Sequence, residues 1–280
     1  MTLEIVDSQV YIWGADTPER PWRAGGHQHA QRATPVSAQE VLGWMDEGGI
    51  DAAIIVPPSW EGDRNDLALD AAKRYPGRFA VMGRVDPDSK ALHDALPGWK
   101  RQPGMLGVRL ALHTPQLRQP FLEGHYDWMW QDLERLGLPA MVLIHHPYMP
   151  MVDAIAAKHP RLKIVVDHLG LVNGEKDAVA FRGLDNLLAL GKRANVAVKA
   201  SALPCYTAEP YPYPGLQSHL KRVFDAFGNR RMFWGTDQTR SPIGYRRGVE
   251  LFTHHTPFLR DGDLEWIMGK GIREWLDWKK

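Results

Sequence analysis

The chain has 280 residues, of which 44% are hydrophobic and 24% are charged, and its formal net charge is +1. The balance of 34 Lys and Arg against 33 Asp and Glu excludes the strong positive field that general binding to nucleic acid or to a membrane surface requires. Cys205 is the only cysteine, so an internal disulfide and a thiolate metal cluster are both excluded.

Cellular location is predicted from the same features. A lone cysteine fits a reducing compartment. The first residues, MTLEIVDSQVYIWG, lack a basic flank followed by a long apolar run, which is the pattern of a signal peptide. No apolar run approaches the roughly 18 residues that suggest a membrane span. We therefore expect a cytoplasmic protein with no membrane partner.

Short apolar runs recur along the chain and predict β-strands. Most are too short for stable helices, and several are rich in β-branched residues. Their near-continuous apolar character is typical of parallel strands that are buried on both faces. The predicted strands are Leu3–Val6, Ala53–Val56, Phe79–Val85, Met105–Leu110, Ala140–His145, Ile164–His168, Val196–Ser201 and Met232–Asp237.

Helical patterns lie between these runs. The first begins after Ser37, with Glu40 three residues later in a capping-box arrangement. Glycines such as Gly48 and Gly228 follow several of the patterns as stop signals. The other predicted helices are Asp66–Tyr75, Tyr126–Leu136, Pro150–His159, Phe181–Ala194, Gly215–Phe227 and Asp263–Trp278.

Eight strands in alternation with helices fit either a closed barrel or an open doubly wound sheet. The open sheet favours a glycine-rich nucleotide loop after the first strand, and residues 7–11 contain no G-x-G-x-x-G motif. The length also suits a barrel, which takes about 250 residues. We predict an α/β protein with a single (β/α)8 TIM-barrel domain over residues 1–280.

Polar residues stand at the predicted C-terminal ends of seven strands, where barrel enzymes carry their active sites. Each has a structural alternative. Asp237 could cap a helix, His168 could be a core histidine, and Arg109 or Lys199 could form a structural ion pair. His145 and His146 point in opposite directions on a strand, so we expect one of them, His145, to face the site.

Five segments resemble the amidohydrolase-related branch of the amidohydrolase superfamily. That branch includes 2-pyrone-4,6-dicarboxylate lactonase, L-fucono-lactonase and certain decarboxylases. The resemblance covers almost the whole chain and implies a barrel hydrolase. Its segments are IVDSQVYIWG at 5–14, GVRLALH at 107–113, HPRLKIVVDHLG at 159–170, NVAVKASAL at 195–203 and RMFWGTDQT at 231–239.

Strand 1 departs from the family pattern. Metal-dependent members carry Asp-x-His-x-His there, and its two histidines bind the catalytic metal. Gln9 and Tyr11 stand at the matching positions. An amide oxygen is a weak zinc ligand and a protonated phenol is weaker. We therefore expect no cofactor and no metal; the alternative is one divalent ion such as zinc on His145, His168 and Asp237.

By this resemblance, the chain is expected to be a metal-independent hydrolase of a small carboxylated lactone or ester. Asp237 would act as general base for water, and His168 would polarise the carbonyl or carry a proton, with His145 as a further catalytic candidate. The residues expected to bind substrate are Gln9, Tyr11, Trp13, Arg84, Arg109, Lys199 and Arg240.

Two other functions remain open from the sequence. One is a metal-dependent hydrolase or decarboxylase, and the other is a non-catalytic small-molecule binding protein on a decayed barrel. Retention of His168, Lys199 and Asp237 argues against decay. We expect a small-molecule substrate and no nucleic-acid partner, and homo-oligomer formation is left open.

Overall fold

The apolar runs form one parallel sheet. A computed structural model describes residues 3–279, and its eight strands follow one another in sequential order from β1 to β8. The strands are β1 (Val6–Val10), β2 (Ala52–Ile55), β3 (Phe79–Arg84), β4 (Met105–Ala111), β5 (Ala140–Leu143), β6 (Ile164–Val166), β7 (Val196–Ser201) and β8 (Met232–Gly235).

The sheet curves into a nearly closed barrel. The amide of Asp237, just after β8, donates to the carbonyl of Gln9 in β1 at 3.0 Å. The amide of Thr236 donates to Oδ1 of Asp7 at 2.9 Å. These bonds join the last strand to the first, which confirms the predicted (β/α)8 barrel. Because barrel strands are buried on both faces, they read as continuous apolar runs in the sequence.

The prediction for the first strand was wrong. We expected Leu3–Val6, whereas the strand runs from Val6 to Val10, and all five of its residues are buried. Asp7, Ser8 and Gln9 occupy its centre and are fully buried. The side chain of Asp7 accepts a hydrogen bond from Thr236 and that of Gln9 accepts one from Lys199, which reduces the usual penalty against polar residues in a buried strand.

The helices pack around the barrel. Ser37 caps the first, as predicted, by accepting a hydrogen bond from the amide of Glu40 at 3.1 Å. The helices are α1 (Ala38–Gly48), α2 (Asp66–Arg74), α3 (Lys90–Ala95), α4 (Pro115–Leu122), α5 (Asp127–Leu136), α6 (Met149–Lys158), α7 (Asp177–Phe181), α8 (Leu184–Leu188), α9 (Leu216–Phe227), α10 (Tyr245–Thr253), α11 (Asp261–Glu265) and α12 (Gly271–Leu276).

Several helices differ from the sequence prediction. The segment predicted as one helix over Phe181–Ala194 is broken around Gly183, where a Cβ would lie 1.9 Å from Nδ1 of His146. A π-helical turn, Trp266–Lys270, separates α11 from α12. Helices α3, α4 and α10 were not predicted; α4 contains Pro120, which weakens a helical pattern. Within residues 3–279, no helix is long and apolar enough to cross a membrane.

Candidate active site

A cluster of polar side chains fills the C-terminal end of the barrel. Charged and amide groups are rarely buried unless they are paired, so a cluster of this size marks a site. Each of its members is less than 4% exposed. The cluster consists of Asp7, Gln9, Arg84, Arg109, Asp167, His168, Lys199, Ser201 and Asp237.

A β-bulge in β1 positions the first members. Asp7 pairs with Ala53 and Val10 with Ile55, so three steps along β1 match two along β2. An extra residue of this kind redirects side chains, and bulges are common beside active sites. Oδ1 of Asp7 accepts the amide of Gln9 at 2.9 Å, which holds the bulge. Burial raises the pKa of Asp7 to about 6, although hydrogen bonds from Thr236 act to lower it.

Asp237 and His168 lie together, as the resemblance implies. Nε2 of His168 is 3.7 Å from Oδ2 of Asp237, and Nδ1 of His168 is 2.8 Å from Oγ of Ser201. Burial and then the charge of Arg240 lower the pKa of His168 to about 3, so its ring is neutral near pH 7. His168 and Asp237 have φ of 50° and 51°, a strained conformation for residues with a Cβ.

Arg240 holds Asp237 in place. Its Nε lies 2.5 Å from Oδ2 of Asp237, and its Nη2 donates to the hydroxyl of Tyr206 at 3.0 Å. Its Nη1 donates to Oδ1 of Asn173. Burial acts to lower the pKa of Arg240, but Asp237, Tyr206 and Cys205 together outweigh burial and the pKa is raised. Each of its three nitrogens donates to a protein group, so Arg240 orients Asp237, and two of its five N–H protons remain.

Lys199 is also held by the protein. Its ammonium lies 2.7 Å from Oδ1 of Asp167, 2.5 Å from Oε1 of Gln9 and 3.3 Å from the carbonyl of Ser8. Burial lowers the pKa of Lys199, and the Asp167 carboxylate opposes this effect. Together with Sδ of Met141 at 3.4 Å, these groups surround the ammonium with protein contacts.

Arg84 and Arg109 lie side by side on β3 and β4. They are register partners in the sheet and are 3% and 2% exposed. Burial and the charge of Arg109 lower the pKa of Arg84 to about 10. Nη1 of Arg84 and Nη2 of Arg109 have no hydrogen-bond partner among residues 3–279. Two adjacent guanidinium groups with unused donors are a ready site for an anion.

Tyr11 and Trp13 follow β1 but differ in position. Tyr11 is 7% exposed, and burial together with the charge of Asp237 raises its pKa to about 12, so its phenol remains a hydrogen-bond donor at neutral pH. Trp13 is 1% exposed, and its ring packs edge-on against Trp60 at 5.1 Å between centroids. The structure brings Tyr11 to the cluster and places Trp13 in the core.

His145 lies apart from the pair of His168 and Asp237. Its ring is 6.1 Å from the ring of His113, and burial lowers its pKa. Burial and Arg109 lower the pKa of His113 to about 3. The ring of His146 is buried under Gly183. His145 therefore contacts a second histidine, which the sequence prediction did not include.

The donors present do not fit a family-type metal centre. The side-chain oxygen of Gln9 already accepts from Lys199, and the phenol of Tyr11 is protonated. The cation of Arg240 lies against Asp237. In the described part of the chain, no three His, Cys, Asp or Glu side chains are arranged to hold a metal ion. The alternative set of His145, His168 and Asp237 is therefore not assembled.

Besides Asp7, two residues of the cluster were absent from the predicted site. Asp167 is fully buried between Lys199 and Arg109, with its Oδ2 3.3 Å from Nε of Arg109. Burial acts to raise the pKa of Asp167, but Lys199 and Arg109 outweigh it and the pKa is lowered. Ser201 contacts His168. Position at a strand end was the available signal for both residues, but it does not identify their partners.

Comparison with known proteins agrees with this fold. A family model described as amidohydrolase matches residues 6–278. The chain belongs to the amidohydrolase family. It is therefore an enzyme of the amidohydrolase superfamily, as the sequence resemblance implied.

Two curated relatives of this amidohydrolase are named for lactone substrates. The L-fucono-1,5-lactonase of Burkholderia ambifaria is 28% identical over 211 residues, which cover 71% of this chain and 68% of the relative. The 4-sulfomuconolactone hydrolase of Hydrogenophaga intermedia is 24% identical over 247 residues, which cover 84% of this chain and 74% of the relative.

Solved structures share the fold over nearly the whole chain. An amidohydrolase from Burkholderia multivorans with bound zinc has a TM-score of 0.81 at 20% identity, covering 98% of this chain and 99% of that one. The 5-carboxyvanillate decarboxylase of Sphingomonas paucimobilis has a TM-score of 0.67 at 15% identity, covering 99% of each chain. At such identities the likeness establishes the barrel and leaves the reaction open.

Proposed function

We propose that this amidohydrolase is a lactonase that hydrolyses a small carboxylated lactone without a catalytic metal. The lactone class is supported by the two curated relatives, which are named as lactone hydrolases. A lactone carries an activated ester, whereas an amide has a stronger need for a metal as Lewis acid.

The carboxylate on the substrate is supported by one observation above all. Arg84 and Arg109 are buried register partners, and each has a guanidinium nitrogen without a partner among the described residues. Adjacent like charges repel in a buried site, and an anion between them relieves that repulsion. A carboxylate matches the fork of guanidinium donors better than any neutral group.

In the proposed mechanism, Asp237 accepts a proton from water as the water oxygen attacks the lactone carbonyl. A carbon–oxygen bond forms, and the carbonyl electron pair moves onto its oxygen. The tetrahedral intermediate then collapses, the ring carbon–oxygen bond breaks, and Asp237 returns the proton to the leaving alkoxide. The product is an open-chain hydroxy acid. Arg240 and the backbone bond to Gln9 hold Asp237 in position throughout.

His168 is the second participant. Because its ring is neutral near pH 7, it can donate one hydrogen bond without carrying a charge. Its Nε2 lies too far from Asp237 for a strong hydrogen bond, yet near enough for one oxygen atom to contact both groups. We place the attacking water or the carbonyl oxygen of the substrate there.

Metal independence is supported by the donor set and tested by metal analysis. Lys199 and Arg240 already place positive charge against Gln9 and Asp237. The enzyme would be purified without chelator, its metal content measured, and its turnover assayed on five- and six-membered lactones with and without carboxylates. We expect turnover of the carboxylated lactones that survives dialysis against chelator. Loss of turnover on dialysis and its return with one equivalent of zinc would refute metal independence.

A further inference from the structure

The amide of Gln9 has a defined orientation. It lies in β1 with no exposure to solvent, and its Oε1 is 2.5 Å from the ammonium of Lys199. An ammonium has three donors and no acceptor, so it binds the oxygen of the amide and never its nitrogen. Nε2 therefore faces away from Lys199, and it has no acceptor among residues 3–279.

Lys199 is fixed independently of Gln9. It forms an ion pair with Asp167 at 2.7 Å and donates to the carbonyl of Ser8 at 3.3 Å. The ion pair opposes burial, which lowers the pKa of Lys199. Because Lys199 is held by these contacts, the Gln9 amide cannot flip freely, and a residue on another strand sets the direction of the Nε2 protons.

Gln9 is also tied to the proposed general base. The backbone carbonyl oxygen of Gln9 accepts a hydrogen bond from the amide of Asp237 at 3.0 Å. The side chain of the same residue carries the unpaired Nε2. The donor and the carboxylate are thus linked through one residue. A buried donor without a partner destabilises the fold, so its retention at this site is informative.

We propose that Gln9 is a catalytic residue whose Nε2 donates to the oxyanion of the tetrahedral intermediate, and that Lys199 is the positioning residue that turns this amide. The inference rests on the proposed lactonase function. Substrate contact is made by Gln9, while Lys199 acts only through Gln9. The hydrogen bond strengthens as the carbonyl electron pair moves onto oxygen, so it favours the transition state over the bound lactone.

Gln9→Glu is the main test because it keeps an oxygen for Lys199 and replaces the nitrogen donor by an acceptor. We expect kcat on a carboxylated lactone to fall by about 10²- to 10³-fold, as for removal of one oxyanion donor, with a much smaller change in KM. Gln9→Met excludes an effect of negative charge alone and should also lose kcat. Gln39→Glu, on an exposed side chain, is the matched control and should retain wild-type kcat.

The role of Lys199 needs a separate readout. In Lys199→Gln, the new amide can donate or accept a hydrogen bond, so the Gln9 amide is free to flip between its two orientations. We expect a kcat loss smaller than that of Gln9→Glu, and two sets of Gln9 side-chain amide signals by NMR in place of one. A single unchanged set would show that Lys199 does not orient Gln9.

The outcomes separate the two proposals. Gln9→Glu with wild-type kcat, in a preparation where Asp237→Asn is inactive, overturns the role of Gln9 and leaves the lactonase function intact. Absence of turnover by the wild-type enzyme on every carboxylated lactone overturns the lactonase function and this inference with it. Neutron diffraction decides the orientation whatever the activity: deuterons on the Gln9 atom that faces Lys199 would overturn the inference, and deuterons on the opposite atom support it.

Discussion

The hydroxyl oxygen of Ser201 lies 2.8 Å from Nδ1 of His168, and both side chains are buried. The other ring nitrogen, Nε2, faces the carboxylate of Asp237. A carboxylate favours a proton on the nitrogen that faces it, and a serine hydroxyl can then donate to the remaining lone pair. Ser201 therefore favours the tautomer of His168 that carries its proton on Nε2.

The first prediction follows from this contact. Ser201→Ala leaves Nδ1 of His168 without its partner, and we expect kcat to fall by about tenfold, since a lost buried hydrogen bond costs about 1–3 kcal/mol. Nitrogen NMR of labelled His168 should show a mixture of tautomers. Ser8→Ala is the matched control, because Oγ of Ser8 is buried and has no partner in the described chain. Equal kcat values for the two variants would contradict the role of Ser201.

The general base is tested by Asp237→Asn. The amide cannot take a proton from water, so we expect kcat to fall by about 10²- to 10⁴-fold while the fold is retained. The measurement is initial-rate hydrolysis of a carboxylated lactone, together with circular dichroism. Asp225→Asn on the exposed face of α9 is the control and should be fully active. Undiminished turnover by a folded Asp237→Asn protein would remove Asp237 from the mechanism.

The anion site is tested by Arg84→Gln. Loss of one charge-assisted hydrogen bond to a substrate carboxylate should raise KM by about tenfold or more, with little change in kcat. A lactone of the same ring without a carboxylate should show no such increase. Arg74→Gln, an exposed arginine on α2, controls for charge. An equal rise in KM for charged and neutral lactones would show that Arg84 supports the structure only.

Stability should fall on acidification below about pH 6.5. The pKa values of His113 and His168 are about 3 in the folded protein, against 6.5 for an unperturbed histidine, so between these values the unfolded chain binds protons that the folded chain does not. One such imidazole costs about 2 kcal/mol at pH 5. Asp7, with its pKa raised to about 6, acts in the opposite direction over a narrower range.

Urea unfolding at pH 7.5 and pH 5 measures this effect. We expect His113→Gln to lose less stability than the wild type between these two pH values, by about 2 kcal/mol. His113 serves better than His168 because it lies outside the proposed catalytic pair. The same pH dependence in both proteins would mean that His113 becomes protonated without unfolding.

Barrel packing is tested at Gly107. A Cβ at this position in β4 would lie 2.3 Å from the carbonyl oxygen of Pro139, which is backbone and cannot easily move. We expect Gly107→Ala to lower the free energy of unfolding by about 1–3 kcal/mol. Gly43→Ala in α1 is the control, since nothing lies within 4 Å of its Cβ, and it should raise stability by up to about 1 kcal/mol. Similar effects of the two changes in urea unfolding would contradict the close packing.

The sequence predicted the barrel well because seven of its strands are apolar and their helical connections are periodic. It missed the extent of β1, because a strand whose centre is Asp7, Ser8 and Gln9 has no hydrophobic signature. Such a strand is stable only when partners from other strands, such as Thr236, satisfy it. Contacts of that kind depend on the closed fold and cannot be read from local pattern.

The sequence predicted where the candidate site lies better than it predicted what each of its residues does. Strand-end polarity located Asp237, His168 and Arg109, all of which lie in the buried cluster. The roles of Lys199 and Arg240 depend on which acceptors reach them, and those acceptors come from distant parts of the chain. Sequence position shows that a cation reaches the site, whereas three-dimensional contacts decide whether it binds substrate or another side chain.

The bond from the amide of Asp237 to the carbonyl of Gln9 joins the end of β8 to β1 at the proposed general base. A ribosome makes β1 more than 200 residues before its partner, so the hydrolytic machinery is completed only when the final strand docks. Partial detachment of that strand would abolish activity while most of the helices and the rest of the barrel stayed folded. Mild denaturant should therefore abolish turnover before it reduces the helical circular dichroism signal.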